Sequence, residues 1–176
     1  MRKFFPDRFL GGWILAIFLI AAPGIPGEGS SEDKVSYSGT VFLAGEKDVR
    51  ENPVFGEVCR KSLSGDEAGL ENAKIRFLLE AVKASPCLFL RNGKAGSGKD
   101  AARHLGMKYK KGGRKIRTAL EFIDQIGSQS SMTGKAYQIR ILSGEIYPMR
   151  IVFLNELRRL DACLLDSSNG IYLREK

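Results

Sequence analysis

Histidine is almost missing from this chain: His104 is the only one in 176 residues. A nucleophile–base pair or an imidazole-ligated metal site would have to be built on that one ring. Cysteine is scarce as well, with Cys59, Cys87 and Cys163. In an oxidising compartment two of the three are expected to pair and leave one over, and their spacing does not choose the pair. A buried thiol otherwise behaves as a small hydrophobe. No apolar run reaches the ~20 residues that a spanning helix needs. No repeat of 20–50 residues is present, which excludes a solenoid. Finally, the net charge of +8 is spread along the chain. It does not form the concentrated basic face that nucleic acid requires, so no nucleic-acid partner is expected.

What is present begins with a targeting pattern. Arg2, Lys3 and Arg8 precede the apolar run Phe9–Ala22, and small residues follow as far as Gly27. This is the order of a secretory signal peptide, with cleavage expected after Gly24 or Gly27. Export, most simply to a periplasm, is the expectation, with membrane contact only through an uncleaved segment. Without residues 1–27 the net charge is +6, which still favours acidic partners such as an anionic ligand or an envelope protein.

Residues 28–65 are rich in Gly, Ser, Glu and Lys. They read as a flexible or loosely attached extension, with one short β-like run at Tyr37–Leu43. Compact structure is expected over 66–165. In Leu70–Ser85, Ile75, Leu78, Leu79 and Val82 keep the i, i+3, i+4, i+7 spacing of a buried helix face, and Pro86 ends it. Cys87–Arg91 predicts a strand and Asn92-Gly93 a turn. A helix from Ser97 to Gly112 follows, and another opens on the capping box Thr118-Ala119-Leu120-Glu121. That box also explains Glu121, which with Asp124 otherwise suggests a pair of acids. Tyr137–Leu142 alternates like a half-buried strand, and Pro148 opens a last helix whose apolar face ends near Leu164. Residues 166–176 are expected to fray. The sum is one α+β domain, about four helices with a small antiparallel sheet of two or three strands. Cys87–Arg91 and Tyr137–Leu142 are its natural pair.

One stretch carries an apparent catalytic signature. Gly93-Lys94-Ala95-Gly96-Ser97-Gly98-Lys99 fits the phosphate-loop spacing G-x-x-x-x-G-K. Asp100 stands where a Ser or Thr should bind Mg²⁺, and its carboxylate adds negative charge beside any phosphate. Too few strands follow for the parallel sheet that carries such loops. The glycines therefore read as a connector into a capped helix, with nucleotide binding at Gly93–Lys99 as a weaker alternative. No cofactor or metal is expected.

The polar loop Ser128–Lys135, with Arg91 and Arg140 in reach, has the donors for an anion-binding concavity. The exposed polar candidates for ligand binding are Arg91, Asn92, His104, Ser130, Ser131, Thr133 and Lys135. A non-catalytic binding role is expected. The enzymatic alternative is a hydrolase that pairs His104 with Ser130 or Ser131.

Several of these pieces recur together. Phe89-x-Arg91-Asn92-Gly93, Ala101-Ala102-x-His104-Leu105 with Lys108, Thr118-Ala119-x-Glu121-Phe122-Ile123-Asp124 and Ser128-x-Ser130-Ser131-x-Thr133-Gly134-x-Ala136-Tyr137 form an ordered series. Over roughly residues 74–160 this resembles a domain-of-unknown-function family of small exported bacterial proteins that includes the YfeK-like proteins. The chain departs from that pattern in having Ala136 in place of proline and in its long extension over 28–69. The resemblance implies export and a compact single domain, and it brings no activity, cofactor or catalytic residue. The glycines between Gly93 and Asp100 are not part of the shared pattern. Intact-mass measurement of protein recovered from the cell envelope is expected to show a chain that starts at Ile25 or Glu28; a full-length mass would overturn the cleaved-signal reading.

Overall fold

The computed structural model describes residues 40–43, 45, 47–112 and 115–172. The expected signal peptide lies outside them, as does most of the β-like run Tyr37–Leu43; its described residues 40–43 form no strand. Five α-helices and four short strands alternate in one α+β domain. The order is α1 (Phe55–Ser64), α2 (Glu67–Ala84), β1 (Leu88–Arg91), β2 (Lys94–Gly96), α3 (Gly98–Gly112), α4 (Ala119–Phe122), β3 (Gln138–Arg140), β4 (Ile146–Pro148) and α5 (Met149–Tyr172).

The helix starts follow the capping chemistry of the sequence. Asp66 accepts from the Gly69 N–H at 2.8 Å and opens α2. The Thr118/Glu121 capping box is formed in both directions at α4. Ser97 accepts from the Asp100 N–H at the start of α3. Below α4 the chain widens into a π-helical turn, Ile123–Gly127. Such a turn leaves carbonyls without their usual donors. The Ser128 hydroxyl donates to Ile123 O at 2.6 Å, and Lys108 Nζ donates to Ile126 O at 2.8 Å. Gly127 has no freedom to vary, because a Cβ there would lie 2.7 Å from the Phe153 ring.

All four strands are antiparallel, in the order β2-β1-β3-β4. The predicted β1–β3 pair is present, with Phe89 opposite Ile139. One sheet face packs on the helices through Phe89, Ile139 and Tyr147. Phe77, Phe122 and Phe153 are fully buried beneath it, each contributing about 1.5–3 kcal/mol of transfer free energy. The rings of Phe122 and Phe153 meet edge-on, with centroids 6.1 Å apart.

Five expectations need correction. Sheet and helix counts exceed those predicted, because α1, β2 and β4 are additional. Residues 94–96 are not a connector: they are β2, and their backbone is committed to β1 through the pairs Phe89–Gly96, Leu90–Ala95 and Arg91–Lys94. A backbone bound into an antiparallel ladder cannot also wrap a triphosphate. Gly98 has a packing reason, since a Cβ there would run into the carbonyls of Val82 and Ser85 at the end of α2. Residues 166–172 do not fray out of the structure but continue α5. All three cysteines are free thiols; Cys87 is buried and the other two are half-buried. Burial pushes the Cys59 thiol up, and the neighbouring Cys163 adds to the shift.

The largest correction concerns the described part of the extension. Leu43 and Val58 are completely buried. The described residues between 41 and 47 lie along α5, where one turn of side chains holds them. Asn155 Nδ2 donates to Val41 O at 3.2 Å, and Glu156 Oε1 accepts from the Leu43 N–H at 2.5 Å. Arg159 donates to the carbonyls of Gly45 and Lys47 and covers the Phe42 ring. Glu156 is itself 2% exposed, and a buried carboxylate is tolerated when hydrogen-bonded. Replacing it with Leu is expected to lower the unfolding free energy by about 1–3 kcal/mol, because the Leu43 N–H loses its acceptor. An unchanged urea midpoint for Glu156→Leu would show that the strap does not stabilise the domain.

Candidate functional site

The β1–β2 hairpin and α3 form the two sides of the candidate site. Asn92 and Gly93 make the two-residue turn with φ of 51° and 78°, the left-handed pair that a tight hairpin requires. The hairpin directs Arg91 toward α3, where Arg91 Nη1 lies 2.9 Å from both ring nitrogens of His104. His104 Nε2 is also 3.3 Å from the Tyr137 hydroxyl. A neutral ring has one acceptor nitrogen for Arg91, and the direction of the bond to Tyr137 follows from the tautomer.

Tyr137 precedes β3 and is 5% exposed. Its N–H donates to Ser128 O at 2.8 Å and its carbonyl accepts from the Met149 N–H at 2.9 Å. Its hydroxyl also meets the Ser130 side chain. Lys108 lies over its ring, 5.1 Å from the centroid, while donating to Ile126 O and Gln129 O. The residue is therefore held on every side before any ligand arrives.

Electrostatics at this cluster are one-sided. Burial, then the charges of Arg91 and Lys108, hold the His104 pKa below its ordinary value. Burial first and Arg91 second push Lys108 down as well. Burial pushes Tyr137 up, opposed by Arg91 and the Ser130 hydrogen bond. Burial is the largest cause in each case; the neighbouring positive charges add to the first two shifts and disfavour a further cation.

Five of the seven predicted residues meet here. Arg91, His104 and Ser130 connect through Tyr137. Asn92 Oδ1 accepts from the Thr133 hydroxyl at 2.8 Å, which ties the hairpin turn to the serine loop. Ser131 and Lys135 do not join them. Ser131 is exposed on the turn, and Lys135 is engaged through its backbone, its carbonyl accepting from the Ser130 N–H at 2.9 Å. Ser130 is 7% exposed. Sequence reasoning includes Tyr137 only as the end of the candidate surface Ser128–Tyr137 and leaves out Lys108, although both belong to the recurring series above. It also leaves out Lys94 and Arg103, which carry no local signal.

Hydrolytic chemistry finds no support in this arrangement. A histidine base is made effective by a carboxylate that stabilises the imidazolium. Here a guanidinium occupies that place and does the opposite. Among the described residues no group of three His, Cys, Asp or Glu side chains could hold a metal ion. Lys99 lies beside Lys83, Leu79 and Ala102 on the α2 side of α3, away from the hairpin.

Between hairpin and helix lies an open groove of about 300 Å³. Its walls include Phe89, Ala101, Leu105, Met107 and Met149, and Arg91, Lys94 and Arg103 stand around it. Asp100 is the one acid that lines it. It is already occupied, accepting from Ser97 at 2.7 Å and Arg103 at 2.8 Å, and the Ser97 bond is the main reason its carboxyl is held below the usual range.

Because the folded-state pKa of His104 is lowered, the unfolded chain takes up the proton first as pH falls. The ring's contribution to stability is therefore present above about pH 6.5 and is lost as pH drops through the folded value. An NMR titration of this lone histidine is expected to give a midpoint below 6.5. The loss of stability on acidification should also be smaller in His104→Gln. A midpoint at or above 6.5 would refute the arrangement.

With this geometry in place, comparison with known proteins is informative. The model of a family of unknown function, DUF5329, matches residues 70–161, which is just over half of the chain. That span runs from α2 into α5 and includes the whole sheet and both sides of the groove. A protein of Salmonella typhimurium strain LT2, named uncharacterized protein YfeK, is 41% identical over 68 residues, 38% of this chain. The match covers 57% of that relative's length. No solved structure matches the chain. The chain therefore belongs to the DUF5329 family.

Proposed function

We propose that this is an exported, non-catalytic domain that binds a small anionic ligand in the groove between the β1–β2 hairpin and α3. The observation behind the reading is the contact of Arg91 with His104, whose Nε2 also lies 3.3 Å from the Tyr137 hydroxyl. Arg91 pairs with no carboxylate among the described residues. A guanidinium has five donors, and His104 takes no more than part of that capacity. The remaining donors are suited to a carboxylate or phosphate, which forms short charge-assisted bonds with such a fork. A concave site favours a small ligand over a flat protein partner.

Export rests on the residue order of segment 1–27, and the periplasm is the compartment it suggests most directly. No helix among the described residues is long and apolar enough to cross a membrane. The domain itself has two levels of organisation. Its helices and sheet supply a frame, and the side chains proposed to face the ligand lie on the hairpin and on one helix face.

Titration with butyrate, followed on the His104 ring resonance, is expected to give saturable shifts. Arg91→Gln should weaken the binding by about tenfold or more, the loss of one charge-assisted hydrogen-bonded contact. Shifts that grow linearly with salt, equal in wild type and variant, would sink the proposal.

A further inference from the structure

The groove has a second property that a simple anion does not use. Its interior is apolar. Phe89, Leu105 and Met149 are buried at its walls, while Met107 is half exposed at its margin. Gly96 has no side chain opposite Phe89, and Ala101 presents only a methyl from α3. These two small residues leave the hairpin and the helix standing apart. Methionines at such a place adapt their shape to an apolar guest.

The charge at the hairpin end is also unusual. Arg91 and Lys94 are direct cross-strand partners on either side of the Asn92-Gly93 turn. Like charges directly opposite one another in a sheet are destabilising. Neither is relieved by a carboxylate among the described residues, since Asp100 pairs with Arg103 instead. An anion placed between Arg91 and Lys94 removes the repulsion and gains two charge-assisted contacts at once.

From the cavity and the cation pair together we infer that the ligand is an amphiphilic monoanion: a medium-length acyl or similar apolar body with one carboxylate at its end. This deepens the anion-binding reading and rests on it. The acid group sits between Arg91 and Lys94, and the apolar body enters the groove past Ala101 toward Leu105 and Met149. A groove of about 300 Å³ has room for about ten groups the size of a water molecule, which matches a chain of around eight carbons. Phosphorylated sugars and inorganic phosphate fit less well, because they would leave the apolar wall wet.

The test compares butyrate, octanoate and octyltrimethylammonium on the full mature chain by NMR or calorimetry. Burial of a methylene is worth about fourfold in affinity. Octanoate is therefore expected to bind at least about tenfold tighter than butyrate, and octyltrimethylammonium not measurably. Lys94→Gln should weaken octanoate several-fold. Ala101→Leu, which fills the groove from α3, should bring octanoate down to the level of butyrate while circular dichroism stays unchanged. Equal affinity for octanoate and butyrate would overturn the amphiphile and leave the anion site standing. Equal binding of the octyl cation would overturn the anion site. Should neither acid bind the folded chain, both readings fail.

Discussion

The antiparallel pairing of β1 with β3 is the constraint on which the rest depends. Phe89 meets Ile139 across it, so residues some fifty positions apart in sequence become neighbours. Every component of the candidate site needs that juxtaposition. Arg91 and Asn92 lie at one end of β1, and Tyr137 and the serine loop enter β3 beside them. The pairing is secured from below, because Phe89 and Ile139 both point into the core. A register slip of one residue would turn both out to solvent. Burial of the apolar face thus sets, to the ångström, where the polar groups at its margin stand.

Around that pairing, polar contacts are used to hold loops rather than to stabilise helices. Glu71 in α2 accepts from the Ala119 N–H at 2.6 Å, and Tyr109 in α3 donates to Asn72 at 2.9 Å. Lys108 closes the π-helical turn and the start of the serine loop with a single ammonium group. Asn155, Glu156 and Arg159 do the same for the described residues between 41 and 47. Apart from the Tyr109–Asn72 contact, which links α3 to α2, these side chains satisfy backbone groups that the interrupted secondary structure would leave unpaired. The price is a cluster in which Lys108, His104 and Arg91 compete for little negative charge. Burial first, and then those neighbouring charges, disfavour the imidazolium.

Much of the fold was legible, and the failures have physical causes. The i, i+3, i+4, i+7 stripe of α2, the Thr118 box and the Asn92-Gly93 turn are local signals, and each acts within a few residues. The strands β2 and β4 have three residues each, too short for an alternation to register. Gly96 gives β2 no side chain to read. In α1 Phe55, Val58 and Cys59 keep helical spacing, but the stripe is only one turn long and Val58 is its single buried residue. Its Gly, Ser, Glu and Lys content resembles a linker because this helix lies at the surface. Of the site, Arg91, His104 and Ser130 could be nominated by chemistry alone. Lys94 could not, because its meaning comes from the residue opposite it across the hairpin.

The sequence by itself determined the class of the domain, the ends of its principal helices and the tight turn of the hairpin. These follow from backbone preference and side-chain type, which act over a few residues. Only the tertiary structure decided that Gly96 belongs to a strand, that residues 47–64 are part of the domain, and that Arg91, Lys94 and His104 surround an apolar groove. Those outcomes depend on contacts between distant segments. They are set by which apolar faces can be buried together, and no single segment contains that information.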